Sequence, residues 1–327
     1  MFLAGDIGGT KTVLGLFEES GGELRMVRDG TFRSREHASL EEIAAKFLNA
    51  GPKAPLRSGC FGVAGAVLEG ECRTTNLPWQ LGERALAQAI GAPRVKLLND
   101  LEAAAYGMLY LRPDELCVLN PGSRPRLKGN VAVIAAGTGL GEAMLYWDGS
   151  HHHPVASEGG HCDFAPRNEQ EIELLQYLIP KFAGHVSYER VLSGPGFYNV
   201  YTFLRDCGYA PEPLWLTEKL KTGEPNVIIS QAGLAGDDPL CVATLDLFST
   251  IYGAEAANLA LKCVAAGGVF VGGGIAPKIL PALKNGSFMR GFTDKGRFSD
   301  LMKSIEVSVT LNPRAPLLGA AHYAMRL

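Results

Sequence analysis

Asp6 and Thr10 flank two glycines in the stretch Gly5-Asp6-Ile7-Gly8-Gly9-Thr10-Lys11-Thr12, directly after the apolar lead-in Phe2-Leu3-Ala4. Adjacent glycines let the chain turn tightly and bring bare N–H groups against a ligand. Thr10 adds a hydroxyl, and Asp6 adds a carboxylate at the mouth of the turn. That set suits a phosphate clamp with a metal partner. The device recurs at Gly137-Thr138-Gly139-Leu140-Gly141, between the apolar runs 131–136 and 143–147. Two such hairpins facing one another could hold one polyphosphate between them. Either copy alone could also be an ordinary glycine hairpin.

Two better-known phosphate motifs do not fit. A P-loop has Gly immediately before its Lys, and here Thr10 precedes Lys11. The dinucleotide fingerprint opens a helix after its glycines, whereas 13–17 reads as a short strand that ends at Ser20-Gly21-Gly22.

The elements that must carry these turns follow from periodicity and punctuation. A strand is expected at 23–32. Ser39 with Glu42 reads as a capping box ahead of a helix whose Leu40, Ile43, Ala44, Phe47 and Leu48 share one face. Residues 60–67 read as a strand and 76–79 as a loop, in which Trp79 either packs or faces a sugar. A helix at 82–90 precedes a strand at 95–98, which stops at Asn99-Asp100, and a helix is expected at 103–111. The Pro- and Gly-rich stretch 113–128 reads as a connector. His151-His152-His153 reads as a loop, because adjacent histidines point different ways.

Further on, a helix at 169–181 would place Ile172, Leu175 and Ile179 in register. An aromatic helix at 197–204 and a loop at 209–226 come next, then a long apolar helix at 239–264. The strand 268–271 ends on Gly272-Gly273-Gly274, a bare backbone against which a flat ring could lie. A strand at 305–311 and a helix at 313–326 close the chain, with Gly319-Ala320-Ala321 allowing close packing. Alternating strands and helices mean an α/β fold, and the two hairpins suggest a duplicated core with a cleft between its halves.

The 327 residues suit two domains or one large one. A formal net charge of −3 gives no reason to expect nucleic acid or an anionic membrane as partner. Seven scattered cysteines without a Cys-x-x-Cys pattern favour reduced thiols over disulfides or a zinc knuckle. Asp6 interrupts what would be the apolar core of an export signal, and the uncharged run 263–277 is too short and Gly-rich to span a bilayer. A soluble cytoplasmic protein is expected.

Taken in order, the motifs resemble a known family. They are the turn 6–10, Leu98-Asn99-Asp100, Gly137-Thr138-Gly139-Leu140-Gly141, Glu158-Gly159-Gly160-His161-Cys162-Asp163-Phe164-Ala165-Pro166, Glu189-Arg190-Val191-Leu192-Ser193-Gly194-Pro195-Gly196, Gly272-Gly273-Gly274-Ile275 and 292–298. The chain is similar to bacterial glucokinases of the non-repressor branch of the actin-like and sugar-kinase superfamily. The repressor-type branch carries a zinc cluster of several cysteines after its histidine. Here only Cys162 follows His161, so no structural zinc is expected.

The resemblance implies a duplicated ribonuclease-H-like, actin-like ATPase fold. Its small domain would take 1–112 plus 312–327, its large domain 113–311, and the cleft would close on glucose. It implies transfer of the γ-phosphoryl group of ATP to the 6-hydroxyl of glucose, with Asp100 as general base. Asp6 would hold Mg²⁺, through water. Gly8, Gly9 and Thr10, with Gly137, Thr138 and Gly139, would cradle the phosphates. Gly273 and Gly274 would pass under the adenosine, while Asn99, Glu158, His161 and Glu189 would grip the sugar alongside Asp100. A homodimer is expected. Lys11 receives no role. A kinase for fructose, mannose or glucosamine, a non-catalytic sugar sensor and an actin-like ATPase are the competing readings.

Overall fold

The apolar run at the N-terminus forms the strand Phe2–Ile7, buried along nearly its whole length. It pairs antiparallel with Lys11–Ser20, Ile7 opposite Thr12, and parallel with Ser58–Val63 on its other side. Glu23–Arg33 and Val95–Asn99 complete a five-stranded sheet in the order Glu23–Arg33, Lys11–Ser20, Phe2–Ile7, Ser58–Val63, Val95–Asn99. This computed structural model describes residues 1–51, 55–124 and 126–327. The sheet belongs to the first of two compact units, which comprises Met1–Pro113, Ser150–Ala156 and Asn312–Leu327.

In the first unit, Leu3, Ile7, Phe61 and Val63 pack with Leu40, Ile43 and Phe47 of the helix Leu40–Asn49. Phe2, Ala4 and Phe17 instead pack with Ala103, Leu317 and Ala320. Those last residues come from the helices Asp100–Met108 and Ala315–Arg326, which cross at Gly107 and Gly319. A Cβ on either glycine would run into the backbone of the other helix, at Ala315 or Ala103. The small-residue reading of 319–321 therefore stands for a physical contact.

The second unit comprises Asp114–Gly149 and Ser157–Leu311. Its strands run in the order Leu140–Trp147, Val131–Ala136, Gly268–Gly272, Val307–Thr310, Leu116–Asn120. Val131–Ala136 is antiparallel to Leu140–Trp147 and parallel to Gly268–Gly272, which is parallel to Val307–Thr310. The pattern of the first unit is thus repeated, a hairpin whose first strand continues into two parallel neighbours. The helix Pro239–Cys263 is long and apolar enough to cross a membrane, yet 78% of its most apolar window is buried inside the protein. It is the core helix of this unit, where Phe248 and Tyr252 are fully buried.

Several elements differ from the sequence expectation. The connector 113–128 contains the edge strand Leu116–Asn120, and the loop 209–226 contains the helix Leu214–Thr222. The helix expected to begin at 103 begins at Asp100. In the helix Glu169–Leu178 the inward residues are Glu171, Leu174 and Leu178, while Ile172 and Ile179 are 44% and 41% exposed. The cause is Glu171, which the Arg167 guanidinium meets at 2.5 Å and whose N–H the Asn168 side chain caps. A paired carboxylate can face inward, and apolar periodicity does not register it. Residues His152–Val155 form a strand rather than a loop and fall with the first unit, where the sequence division had placed them in the second domain.

Candidate active site

In the first unit the turn 8–10 links two strands whose pairing fixes its ends. The Gly8 N–H donates to Lys11 O at 3.0 Å and so closes the hairpin from within. Ser34, fully buried, braces it further: its hydroxyl donates to Gly8 O at 2.7 Å, and its N–H donates to Thr10 O at 3.1 Å. Asn76 lies against Gly9, where a Cβ would meet it at 2.5 Å. Trp79 is 3% exposed within the first core, so it is the packed ring of the two alternatives.

Asp6 sits at the end of its strand with its carboxyl pushed up to about 6, first by burial and then by the charge of Asp100, with Lys11 opposing. Two carboxylates sharing one region attract a cation, and Mg²⁺ commonly takes only one or two carboxylates and keeps several waters. Among the described residues no group of three or more His, Cys, Asp and Glu could hold a metal ion. Asp6 and its surroundings fit a magnesium ion brought in with a phosphate.

The sign of the Asp6 shift gives a prediction. Its native value lies above the ordinary 3.8, so its contribution to stability is complete below that value and is lost as pH rises through about 6. Metal-free Asp6→Asn should therefore melt above the parent at pH 6.5 and lose that advantage at pH 4. Melting curves in a chelator check this, and a parent curve that does not fall relative to Asp6→Asn between these values would contradict it.

The strand Val95–Asn99 delivers Asn99 and Asp100 to the start of a helix. The cap is Asn99: its Oδ1 accepts from the Leu101 N–H at 2.9 Å, and Glu102 Oε2 accepts from the Asn99 N–H at 2.8 Å. The Asn99 amide also donates to Gly65 O at 3.1 Å. Asp100 is the first residue of the helix and is exposed, with its Oδ1 accepting from the Leu101 N–H at 2.8 Å. The orphan N–H groups of a first helical turn favour negative charge there.

In the second unit the Gly137 N–H closes its own hairpin on Gly139 O at 2.8 Å, as Gly8 does in the first. Glu189 lies against this turn. Its Oε2 accepts from the Leu140 N–H at 3.0 Å and occupies the space that a Cβ on Gly139 would need. Gly194, first residue of the helix Gly194–Asp206, donates to Gly137 O at 2.9 Å. Ser193 caps that helix by accepting from the Gly196 N–H at 3.0 Å and donates to Glu189 O at 2.7 Å.

Glu158 precedes the short turn Gly159–His161 and His161 ends it, with the His161 N–H donating to Glu158 O at 3.0 Å. Both side chains are exposed. The Tyr188 N–H donates to Cys162 O at 3.0 Å and stitches this segment to Glu189. Gly273 has φ +81°, a conformation that disfavours any side chain, and it lies against the Ala136 backbone. Gly273 and Gly274 are exposed at the end of their strand.

The first unit thus gathers Asp6, Gly8, Gly9, Thr10, Asn99 and Asp100, and the second gathers Gly137, Thr138, Gly139, Glu158, His161 and Glu189, with Gly273 and Gly274 beside the same hairpin strand. Ser34 was not foreseen, because a serine at the end of an exposed strand carries no signal. A groove of about 640 Å³ in the second unit holds none of these residues. Its Arg290 and Asp246 pair with each other at 3.0 Å.

Comparison with known proteins fixes the class. The glucokinase from an Antarctic psychrotroph superposes with a TM-score of 0.88 at 30% identity over 100% of this chain and 99% of its own. A ROK family glucokinase from Streptomyces griseus, solved with glucose and AMPPNP, superposes at 0.63 with 21% identity over 100% of this chain and 99% of its own, a likeness of fold. The fold is that of the actin-like ATPases, in the form used by sugar kinases. The family model for glucokinase matches residues 3–327, and the glucokinase of Trichormus variabilis is 41% identical over 341 residues, covering 100% of this chain and 99% of its own. The chain belongs to the glucokinase family.

Proposed function

We propose that the chain transfers the γ-phosphoryl group of ATP to the 6-hydroxyl of D-glucose, giving glucose 6-phosphate and ADP. Membership of the glucokinase family along the full chain carries this reading. The site residues add chemical sense to it. Phosphoryl transfer is mostly a matter of positioning and charge neutralisation, with a base near the attacking hydroxyl.

Asp100 is the base: it takes the proton of the 6-hydroxyl as the oxygen attacks the γ-phosphorus and the bond to the bridging oxygen of ADP breaks. Asn99 has its cap to maintain and offers glucose what remains of its amide. Glu158, His161 and Glu189 hold other hydroxyls, and a polyol held by charged acceptors is discriminated strongly from an analogue lacking one. The amides of Gly8 and Gly137 are engaged inside their hairpins, so those of Gly9, Thr10, Thr138 and Gly139 receive the phosphates. The adenosine lies over Gly273 and Gly274. Asp6 would hold Mg²⁺, through water, and the ion would supply neutralisation of phosphate charge there.

The same reading makes the enzyme a cytoplasmic homodimer of 34.9 kDa chains. The test is ADP release from ATP across glucose, fructose, mannose and glucosamine. The expected result is the highest kcat/KM with glucose. A higher value for another hexose would reassign the substrate, and no sugar-dependent ADP release would leave the sensor reading.

A further inference from the structure

Behind the two sugar-gripping turns of the second unit lie two carboxyls that the reaction does not use. Glu142, on the strand Leu140–Trp147, is 1% exposed, and Glu255, on the helix Pro239–Cys263, is fully buried. They are within hydrogen-bonding reach of each other. Glu142 Oε1 and Glu255 Oε1 have no hydrogen-bond partner among the described residues. Two carboxylates cannot bond to one another unless one keeps its proton.

Each carboxyl touches one of the sugar turns. Glu142 Oε2 occupies the space that a Cβ on Gly159 would need, so the backbone of the turn Gly159–His161 rests on that carboxyl. Glu255 lies beside the Tyr188 hydroxyl, which burial and then Glu255 push up, and Tyr188 precedes Glu189 in the other turn. Asn258 ties the arrangement together, its amide donating to Glu255 Oε2 at 2.7 Å and to the Tyr188 oxygen at 3.0 Å. The same strand that carries Glu142 carries Leu140, whose N–H meets Glu189.

We propose that Glu142 and Glu255 share one proton and act as positioning residues, seating the turns that carry Glu158, His161 and Glu189 at the height the sugar needs. The inference rests on the assignment of those three residues to glucose. Among the described residues the facing cations are Lys262 and Lys295. Lys262 Nζ stands 3.7 Å from Glu255, an ion contact beyond hydrogen-bond length, and Lys295 reaches the pair only through Asn258, to which it donates at 2.6 Å. Tyr252 and Tyr188 are the other titratable groups against the pair. Loss of the shared proton sets two buried negative charges against each other and lifts Glu142 from Gly159.

Burial, and then the charge of Glu255, push the Glu142 carboxyl up to about 8. Since the native value exceeds the ordinary 4.5, the stability this group contributes is complete below 4.5 and is lost as pH rises through about 8.

The test compares the parent, Glu142→Gln and Glu142→Ala for glucose KM, ATP KM and kcat from pH 6.5 to 9.5, with melting curves from pH 5 to 8.5. Gln keeps a donor for Glu255 and cannot ionise. Parent glucose KM should rise roughly 3- to 10-fold above pH 8, the loss of about one hydrogen bond's positioning, while ATP KM holds. Glu142→Gln should hold the parent's neutral glucose KM across the range and lose less melting temperature with pH. Glu142→Ala should raise glucose KM at every pH. Superimposable profiles for parent and Glu142→Gln would overturn the inference, and so would an ATP KM that moves as much as glucose KM. If Glu142→Ala fails to fold, the comparison of parent with Gln decides alone. A Glu189→Gln control with unchanged glucose KM would instead overturn the sugar assignment, which keeps the two failures distinct.

Discussion

Asp100→Asn should lose roughly 10²–10⁴-fold in kcat while the folded protein and its glucose binding persist. The substitution is clean because of where the helix cap lies. Asn99, not Asp100, satisfies the first turn and is itself locked by Glu102 and Gly65. Asp100 Oδ1 accepts from the Leu101 N–H, and the Asn oxygen can take that bond over. A structural role for Asp100 therefore predicts a stability change of only a few tenths of a kcal/mol and near-normal turnover. A base role predicts an enzyme that binds and does not turn over. Steady-state kinetics beside a thermal shift in glucose separates the two. Glucose should still raise the melting temperature of Asp100→Asn. Near-normal kcat would remove Asp100 as the base.

Glu189 should give the largest effect among the residues proposed to hold the sugar because it has two duties. One oxygen accepts from Leu140 at the edge of the hairpin 137–139, and the carboxylate is assigned to a sugar hydroxyl. Glu189→Gln keeps an acceptor for Leu140 and removes the charge. Its glucose KM should rise roughly 5- to 150-fold, the equivalent of 1–3 kcal/mol, with ATP KM within about twofold. Glu189→Ala removes both contacts and should raise glucose and ATP KM together. Glu158→Gln and His161→Ala make no such contact with the hairpin and should affect glucose alone. Glucose and ATP KM for all four variants check this. If Glu189→Ala left ATP KM unchanged, its contact with the hairpin would have no functional weight.

The hairpins were legible because glycine, hydroxyl and acid at fixed spacing between apolar runs reflect backbone geometry, which is local. The duplication was legible for the same reason, since each copy carries its own pattern. The ordered motifs that placed Glu158, His161 and Glu189 came from resemblance, as no single one exceeds a turn in specificity. What the sequence hid depends on distant partners. Glu171 faces inward only because Arg167 reaches it, and Ser34 matters only because it folds back onto Gly8. The engagement of the Gly8 and Gly137 amides follows from hairpin closure, which motif spacing does not reveal. Glu142 directly follows the glycine motif 137–141 and carries no sequence signal, because its weight lies in its contacts with Glu255 and Gly159.

Phosphorylation at the 6-hydroxyl of glucose is the central claim. The most direct measurement is phosphorus NMR of the products formed from ATP with glucose and, in parallel, with 6-deoxyglucose. With glucose, one phosphomonoester should appear, coupled to the C6 protons, in a one-to-one ratio with ADP. With 6-deoxyglucose, no sugar phosphate should form, because the atom that attacks is missing. A phosphate ester on 6-deoxyglucose, or at any other carbon of glucose, would contradict the assignment of the reaction and of Asp100 within it.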